Sequence, residues 1–470
     1  QVMPSYKKIL TAAVELLGGT VSWKAIAAGD SDFSFVEAVG SSPSDESVTV
    51  VEWKVKAGDS LKPGQVIGEL EADKAAFELG CPLEGTLVEV LVPEGYMVKV
   101  GTPLLKVSTG DFRVSKKPVI LENPGEPVIE WPISKATVLS EAITSKSAGP
   151  VAGIAGIRIA PGSRVVTNDE IAANCPEWAA ADIFKRIGIE TRRWATDDEN
   201  ALTLVTKAAA ELLESQNLTI ADITAIFCSS GTPLMITPSM ACMALSELSR
   251  DLETPPTMQA QDIVSACSGY LYSLQAAWDH LHHNPNGRVL VLTTEVLSRR
   301  TDPTDYATAP IFGDAATATL VVGAGRAAEM LMNFDRPELS AKGDIVDILQ
   351  VPLPGGGFIY QNGPKVYLEA VQHMIGQLEV ACAAGGVSVH DLDYVVAHQA
   401  NQRILNAVRQ RTKLPAEKVF SNIRHYGNTS SNSIPLALFE LLPSIKSKAV
   451  VGLVAFGGGF TFGGTLLRKP

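Results

Sequence analysis

Cys267 is the residue in this sequence best suited to nucleophilic chemistry. It follows a strand-like run and opens a helix in the segment QDIVSACSGYLYSLQAAWDHL. A thiol at a helix N-terminus faces free backbone N–H groups and the positive end of the helix dipole, so we expect its pKa to fall below the ordinary value of about 8.5. The small neighbours Ala266, Ser268 and Gly269 leave room for a substrate beside the sulfur. Standing alone, a cysteine in such a turn would be interpreted as structural.

Three further segments carry polar side chains or backbone groups that could act together with Cys267. His398 follows a buried, strand-like run in VVAHQANQRI, and Asn428 lies in the loop HYGNTSSNSIP ahead of another helix. The glycine run in AFGGGFTFGG offers backbone N–H groups that can form an oxyanion hole. Together with Cys267, these segments favour a catalytic rather than a structural cysteine.

A separate chemical feature lies in the first hundred residues. The stretch GELEADKAAFELG at 68–80 places Lys74 between an acidic pair and small apolar residues, with strand-like segments on both sides. An amine at the tip of a rigid hairpin can be reached by a modifying enzyme and can itself reach distant active sites. This pattern is typical of a carrier domain.

The elements that must position Cys267, His398 and Asn428 occur twice along the chain. From about residue 150, strands alternate with helices, and LTIADITAIFCSS at 218–230 resembles VSVHDLDYVVAHQ at 387–399. Each copy follows a helix and is followed later by another apolar strand. Two similar halves in tandem predict a duplicated, layered α/β domain with its site at the strand ends where the halves meet.

The remaining sequence suggests a modular chain. We expect an N-terminal extension over 1–34 with a helix at 4–17, and short alternating strands between Gly and Pro turns over 35–108 predict a small β-barrel or flattened sandwich. A stretch rich in Pro, Ser and Lys, 109–149, is interpreted as a linker. The α/β domain then occupies 150–470.

Composition restricts the function classes. With 470 residues the chain is too long for one compact core. Its net charge of −12 argues against a general nucleic-acid or anionic-membrane surface, and no apolar run is long enough to span a bilayer. The six cysteines show no paired spacing and no metal-ligand cluster with histidine. They are expected to be reduced thiols in a cytoplasmic protein, without a bound metal.

Residues 150–470 resemble the β-ketoacyl-acyl-carrier-protein synthases of type III, in the thiolase superfamily, through SACSG, FGDAA, HQANQRI, YGNTS and AFGGGFTFGG. The resemblance implies a duplicated thiolase-type α/β/α/β/α fold, a homodimer and no required cofactor. It implies that Cys267 accepts an acyl group from a thioester. His398 and Asn428 would stabilise the enolate formed when a malonyl thioester loses CO2, and the backbone amides of Cys267 and Gly458 would hold the oxyanion.

The resemblance also extends to substrate recognition. FKRIGIETRRW is similar to the family segment that meets coenzyme A or the phosphopantetheine entrance, with Arg186 at the position of a base-stacking arginine. Housekeeping members have a tryptophan where this chain has Asp182. This departure favours an acyl-carrier thioester over free acyl-CoA as the donor.

Further positions concern the acyl carrier protein and the acyl chain. Arg403 and Arg411 match positions that contact acidic carrier proteins, and Arg409 is a candidate to join them; the alternative is a solvated helix face. Thr237 lies where many members place a phenylalanine that crosses the dimer interface and closes the acyl pocket. The smaller side chain predicts room for a longer or branched acyl chain.

Residues 35–108 resemble biotinyl/lipoyl domains, and EADKAA is closer to the lipoyl pattern than to the biotin pattern. The resemblance implies a lipoyl group on Lys74. Ala72 stands where threonine or serine is usual, and a ketosynthase has no evident use for a dithiolane. The alternative is therefore an unmodified accessory module that docks a partner or braces the dimer.

The leading hypothesis is decarboxylative Claisen condensation of an acyl thioester with a malonyl-type thioester on a carrier protein, in a polyketide, fatty-acid-derived or other secondary-metabolite pathway. One alternative transfers the acyl group to an alcohol or amine, although retention of Asn428 favours condensation. Another is a non-catalytic carrier-docking scaffold, which usually lacks the nucleophile. Hydroxymethylglutaryl synthase and thiolase are disfavoured because no glutamate motif and no second catalytic cysteine are found.

Overall fold

The computed structural model describes residues 20–22, 33–39, 47–72, 75–108, 128–130, 150–175, 178–343, 346–352 and 357–470. It divides into two compact units, Gln1–Lys146 and Ser147–Pro470. The helix predicted over 4–17 lies outside the described residues, as does Lys74. Within the described part of the chain, no helix is long and apolar enough to cross a membrane.

The described strands of the N-terminal unit are β1 Thr20–Ser22, β2 Phe33–Glu37, β3 Ser47–Trp53, β4 Ser60–Leu61, β5 Val66–Ala72, β6 Ala75–Gly80, β7 Gly85–Val90, β8 Met97–Lys99, β9 Pro103–Ser108 and β10 Val128–Glu130. Eight of them form two four-stranded antiparallel sheets, in the orders β2-β9-β7-β4 and β6-β5-β3-β8. Alternating residues of β3, Val48 and Val50, are buried and share one apolar core with Leu70, Leu87 and Leu105. The predicted small all-β domain is confirmed.

Two details of this unit concern the segments predicted as extension, linker and hairpin. β1 pairs with β10 in an antiparallel ladder that sets Val21 opposite Ile129, so part of 109–149 has regular structure. β5 and β6 form an antiparallel hairpin in which Ala72 pairs with Ala75. The domain boundaries drawn from the sequence stay a prediction.

The described strands of the C-terminal unit are β11 Ala152–Pro161, β12 Arg164–Thr167, β13 Thr191–Trp194, β14 Ala225–Ser229, β15 Gln259–Ile263, β16 Arg288–Glu295, β17 Ala315–Gly323, β18 Met332–Phe334, β19 Glu338–Ala341, β20 Leu349–Gln350, β21 Tyr360–Gln361, β22 Tyr394–Ala397, β23 Val450–Gly457 and β24 Thr461–Arg468. Ten of them form one mixed sheet, in the order β15-β14-β16-β17-β11-β18-β24-β23-β22 with β19 beside β24.

The described helices of this unit are α1 Asn168–Asn174, α2 Ala180–Ile187, α3 Ala201–Ser215, α4 Met240–Leu248, α5 Gly269–His283, α6 Gly363–Ala384, α7 Gln402–Thr412, α8 Ile423–Tyr426 and α9 Ser433–Leu441. Its described 3₁₀ turns are Ile220–Asp222, Ala266–Ser268, Leu297–Arg300, Ala324–Glu329, Val389–Asp391, Ala416–Lys418, Ser430–Asn432 and Leu442–Ser444. Helix caps fit the sequence: Asn200 accepts from the N–H groups of Leu202 and Thr203 at the start of α3.

Three apolar cores separate the layers of the C-terminal unit. Helices α3 and α4 pack on β14, β16 and β17, and α6 and α7 lie over a second core with residues of β22, β23 and β24. Between them, α5 and α9 share a core with strand residues of both halves, such as Leu274, Leu438, Val291 and Leu453. Helices on both sides and helices between the strands give the layered, duplicated α/β arrangement that the sequence predicts.

The two halves match in local detail. The 3₁₀ turns Ile220–Asp222 and Val389–Asp391 each begin with a capping box, after which β14 pairs in parallel with β16 and β22 pairs in parallel with β23. This order confirms the repeat seen in the sequence.

The parallel pairs also define equivalent positions. Ala225 lies opposite Val289 in the first half, and Tyr394 lies opposite Val451 in the second. Ser229 follows Ala225 by the same number of residues as His398 follows Tyr394, so Ser229 and His398 are equivalent. In the same way, Glu295 follows Val289 as Gly457 follows Val451, so Glu295 and Gly457 are equivalent.

Candidate active site

The turn Ala266–Ser268, between β15 and α5, carries Cys267. Ala266 adopts a φ of 45°, in the left-handed region that residues with a Cβ rarely enter, so the chain turns sharply just before the thiol. Ser268 fixes the turn, because its backbone N–H and its hydroxyl both donate to the carbonyl of Ser265, at 3.1 and 2.7 Å. The side chain of Cys267 is buried, with 9% of its surface exposed.

The glycine hairpin between β23 and β24 packs against this turn. Thr461 Oγ1 donates to the Ser265 carbonyl at 3.0 Å. A Cβ placed on Gly457 would lie 2.8 Å from the Cys267 nitrogen and 2.7 Å from the Ser265 carbonyl oxygen, so this close backbone approach requires glycine. Gly458 is the next residue and begins the connection to β24.

His398 follows β22 and is fully buried. Its Nδ1 lies 2.7 Å from Ser433 Oγ, and that oxygen accepts the Gln399 N–H at 3.3 Å. We assign the Ser433 hydroxyl proton to the bond with Nδ1, which leaves the imidazole proton on Nε2. Burial lowers the pKa of His398 to about 3, so the ring is neutral. Its Nε2 is buried and has no hydrogen-bond partner among the described residues.

Asn428 lies in the loop between α8 and the 3₁₀ turn Ser430–Asn432. Its backbone N–H donates to the Ile311 carbonyl at 2.9 Å, and its carbonyl accepts from Gly313 N–H at 3.0 Å, so the start of the FGDAA motif and the residue before it hold Asn428. Its Oδ1 accepts the Ser430 N–H at 2.8 Å. This bond orients the amide and leaves the Nδ2 group as the donor that Asn428 can offer to a substrate.

Glu295 was not singled out by the sequence analysis. It ends β16, is fully buried, and accepts hydrogen bonds from Gly231 N–H at 3.1 Å, Thr232 Oγ1 at 2.9 Å, Ser431 Oγ at 3.1 Å and Ser430 Oγ at 3.3 Å. Burial raises its pKa to about 7 even though these donors oppose the shift. An acidic residue closing the otherwise apolar strand RVLVLTTE was the signal in the sequence.

The expectation of a lowered thiol pKa is wrong. Burial raises the pKa of Cys267 to about 12; the Ser430 hydroxyl opposes this shift, and the nearby Glu295 carboxyl adds to it. A helix terminus stabilises a thiolate, but loss of water around the sulfur acts against the charged form and outweighs it here. The resting thiol is therefore protonated.

The structure places an aromatic ring beside Arg186 that the sequence analysis missed. The Arg186 guanidinium lies 5.1 Å from the ring centroid of Trp178, which in turn lies 6.0 Å from the ring of Tyr306. Asp182 is exposed on the same helix, α2. Trp178 precedes α2, whereas Asp182 lies in its first turn. This region therefore contains a tryptophan, although not at position 182.

The remaining predicted residues lie away from the buried cluster. Arg403, Arg409 and Arg411 are on α7, with Arg403 and Arg411 exposed and Arg409 half-buried; the Arg403 guanidinium lies 5.9 Å from the ring of Tyr367. Thr237 is in an exposed loop ahead of α4. In the single chain it is not part of the packing around the Cys267 turn described above.

Comparison with protein families gives three matches. The 3-oxoacyl-[acyl-carrier-protein (ACP)] synthase III model matches residues 261–336, and the model of the C-terminal part of the same synthase matches 382–469. The model described as biotin-requiring enzyme, for biotinyl/lipoyl domains, matches residues 38–107. These matches lie in both units and include the segments with Cys267, His398 and Asn428.

Comparison with individual proteins agrees. The β-ketoacyl-[acyl-carrier-protein] synthase III of Oleidesulfovibrio alaskensis is 35% identical over 331 residues, covering 65% of this chain and 95% of that protein. The enzyme of the same name from Oceanobacillus iheyensis is 36% identical over 313 residues, with coverage of 65% and 95%.

Solved structures extend this agreement to the fold. The crystal structure of 3-oxoacyl-[acyl-carrier-protein] synthase III from Aquifex aeolicus matches with a TM-score of 0.62 and 32% identity, covering 68% of this chain and 100% of that one. The priming β-ketosynthase of a polyketide biosynthetic pathway matches with a TM-score of 0.61 and 26% identity, covering 68% and 97%. The thiolase-type fold predicted for the C-terminal unit is thereby confirmed.

Proposed function

The chain belongs to the β-ketoacyl-[acyl-carrier-protein] synthase III family of condensing enzymes, and we propose that Cys267 accepts an acyl group and passes it to a malonyl-type thioester on a carrier protein. One observation carries this proposal. The Cys267 turn packs against both the end of β23 and the turn Ser430–Asn432, so the nucleophile, the glycine hairpin and the loop of Asn428 belong to one buried cluster. His398 joins it through β23, because its N–H donates to Val454 at 2.8 Å.

In the first half-reaction, the Cys267 sulfur attacks the carbonyl carbon of an acyl thioester. The thiol proton leaves with the departing thiol of the donor, and a new C–S bond holds the acyl group on the enzyme. Negative charge develops on the carbonyl oxygen during this step. The N–H groups of Cys267 and Gly458 are the proposed donors to that oxygen, supported by the close approach of Gly457 to the Cys267 nitrogen.

In the second half-reaction, a malonyl-type thioester loses CO2 and leaves an enolate. Nε2–H of His398 and Nδ2–H of Asn428 are the proposed donors to the enolate oxygen. Both are neutral, so they stabilise the charge without protonating the carbanion. The enolate carbon then attacks the acyl carbonyl and the Cys267 sulfur departs as a thiolate, which releases a β-ketoacyl thioester. A proton taken up from solvent restores the Cys267 thiol.

Surface residues support the proposed binding of the acyl donor and of the carrier protein. Arg186 and Trp178 form a cation–aromatic pair suited to a nucleotide or phosphopantetheine arm, so acyl-CoA and acyl-carrier thioesters both remain candidate donors. Arg403, Arg409 and Arg411 give α7 a basic surface to which an acidic acyl carrier protein can dock.

Three further parts of the proposal concern the dimer, the pathway and the N-terminal domain. Thr237 is proposed to border the acyl pocket in a homodimer, where its small side chain admits a longer or branched chain. The likeness to a priming β-ketosynthase supports a role in a polyketide, fatty-acid-derived or other secondary-metabolite pathway in the cytoplasm.

Residues 38–107 form a biotinyl/lipoyl-type domain, in which Lys74 is the proposed lipoyl attachment residue; an unmodified accessory module is the alternative.

The test is the intact mass of the protein from its own host, before and after incubation with acyl-CoA and acyl-carrier thioesters, followed by addition of a malonyl carrier protein. We expect an acyl mass increase that Cys267→Ser abolishes, then a β-ketoacyl product on the carrier. Acylation followed only by transfer to an alcohol or amine would favour the acyltransferase alternative. No acylation by any donor would favour the scaffold. A mass excess at Lys74 before incubation would identify a working carrier domain.

A further inference from the structure

Glu295 is a buried carboxyl that connects two loops of the C-terminal unit. On one side it binds the loop after β14, through Gly231 N–H and Thr232 Oγ1, and Thr232 is itself held by the Val296 N–H at 2.9 Å. On the other side it binds the hydroxyls of Ser430 and Ser431. Every one of these partners is a donor, so the arrangement is built around an acceptor.

The turn that Glu295 holds is the one that orients Asn428. Ser430 adopts a φ of 53°, a conformation that is unfavourable for a residue with a Cβ and persists where surrounding contacts impose it. In this conformation its N–H donates to Asn428 Oδ1 and its hydroxyl donates to Glu295. One residue therefore transmits the position of the Glu295 carboxyl to the Asn428 amide.

We propose that Glu295 is a positioning residue for decarboxylation: it fixes the Ser430–Ser431 turn, which in turn aims the Asn428 amide at the enolate. Glu295 acts through Ser430, which binds both the Glu295 carboxyl and the Asn428 amide. This inference rests on the proposed function of the C-terminal unit.

The proposal predicts opposite effects on the two half-reactions. Loss of the carboxyl frees the Ser430–Ser431 turn, so the donor from Asn428 is no longer fixed and CO2 release slows. The same loss removes a negative charge that disfavours the Cys267 thiolate, so the thiol reacts as fast or faster. A residue that only stabilised the fold would slow both half-reactions together.

The experiment compares wild type with Glu295→Gln, whose amide brings N–H donors to a site lined by donors. CO2 release from malonyl carrier protein and the rate of acyl loading are measured separately on each protein. We expect CO2 release to fall about 10- to 100-fold, a part of the effect of losing a donor outright. Acyl loading should be unchanged or faster, and the pH at which Cys267 is alkylated at half its maximal rate should fall. Glu295→Asp, which keeps the carboxylate, should recover part of the lost CO2 release.

Asp314 supplies a comparison. It is also a fully buried carboxyl, and it accepts from Ala195 N–H at 2.8 Å, Ser298 N–H at 2.8 Å and Ser298 Oγ at 2.5 Å. Its neighbour Gly313 donates to the Asn428 carbonyl, so Asp314→Asn should lower the melting temperature and should slow CO2 release by less than Glu295→Gln does, without speeding acyl loading. Ser431→Ala, which removes a single bond to Glu295, covers the case in which Glu295→Gln does not fold, and should lower CO2 release by a smaller factor of about 3 to 10.

The outcomes are distinct. A wild-type protein that neither loads acyl groups nor releases CO2 would overturn the proposed function. A wild-type protein that does both, with Glu295→Gln and Ser431→Ala slowing the two half-reactions equally or slowing neither, would overturn the role of Glu295 alone.

Discussion

The two halves of the C-terminal unit have different residues at, or directly after, the ends of their equivalent strands. In the first half these are Ser229 and Glu295; in the second they are His398 and Gly457. Glu295 collects four hydrogen-bond donors, whereas His398 presents a buried Nε2 with no partner among the described residues. Gly457 has no side chain and so admits the backbone of the Cys267 turn.

The helices that begin beside these strand ends also differ in their first residue. A Cβ on Gly269, the first residue of α5, would lie 1.8 Å from Ser229 Oγ, so this helix start packs directly on its strand. The first residue of α9, Ser433, instead contacts the equivalent His398 through its hydroxyl. A duplicated frame thus places residues at shared positions, and the identity of single residues there distinguishes the half with the proposed nucleophile from the half with the proposed neutral donors.

Removal of the proposed nucleophile, which lies in the first half of the C-terminal unit, should have the largest effect on activity. In Cys267→Ala no acyl group can be held, so condensation should fall by about 10³-fold or more. Intact mass after incubation with the acyl donor measures the loss. The pair His398 and Asn428 is untouched, so binding of malonyl carrier protein should persist; a Cys267→Ala variant that still gained acyl mass would place the nucleophile elsewhere.

Removal of one proposed hydrogen-bond donor to the enolate should slow the second half-reaction selectively. Asn428→Ala should reduce CO2 release about 10²- to 10³-fold, because one of two donors to the enolate is lost. Acyl loading, followed by mass, should stay within a few-fold of wild type. Equal loss of loading and CO2 release would show that Asn428 does not belong to the second half-reaction.

Substitution of Gly457, at the end of β23, tests the close contact between this strand and the Cys267 turn. In Gly457→Ala the added Cβ meets backbone atoms of the Cys267 turn below 3.0 Å, so the turn must shift, at a cost of about 1–3 kcal/mol. Acyl loading should fall about 10-fold or more, measured under single-turnover conditions. Gly376→Ala is the matched control, since no atom would lie within 4 Å of its Cβ and it is in α6; it should leave loading intact. Unchanged loading in Gly457→Ala would contradict the proposed oxyanion site.

Ser433 sharpens the comparison, because its equivalent in the first half is a glycine. Ser433→Ala removes the partner of His398 Nδ1 and the bond that sets the tautomer, so CO2 release should fall roughly 10-fold. Ser444→Ala, which removes a hydroxyl bonded to the end of α9, should not affect it. If the two variants release CO2 equally fast, the assigned tautomer is wrong.

The smallest expected effect is on stability. Burial raises the pKa of Glu295 from 4.5 to about 7. Its contribution to the free energy of unfolding is therefore fully present below pH 4.5 and is lost as the pH rises to 7, by on the order of 3 kcal/mol. Denaturant unfolding of wild type and Glu295→Gln at several pH values should show the wild type losing stability relative to the variant over this range. Parallel pH profiles would mean that the pKa of this carboxyl is not raised.

The sequence was sufficient for what depends on local pattern. Cys267, His398 and Asn428 follow strands or open helices in recognisable segments, and the tandem repeat predicted the layered fold. The role of Glu295 was not predictable, because its donors lie 64 and 135 positions away along the chain. The helix start at Cys267 was visible in the sequence but its burial was not, which explains the wrong direction of the pKa. Trp178 was missed because the expectation was tied to position 182.

The most direct test of the division between the halves is to measure acyl loading and CO2 release on the same preparation of His398→Ala. We predict that Cys267 still gains the acyl mass at a rate within a few-fold of wild type, while CO2 release falls about 10²- to 10³-fold. If loading falls as steeply as CO2 release in a folded protein, His398 serves the nucleophile and the separation of the two halves is contradicted.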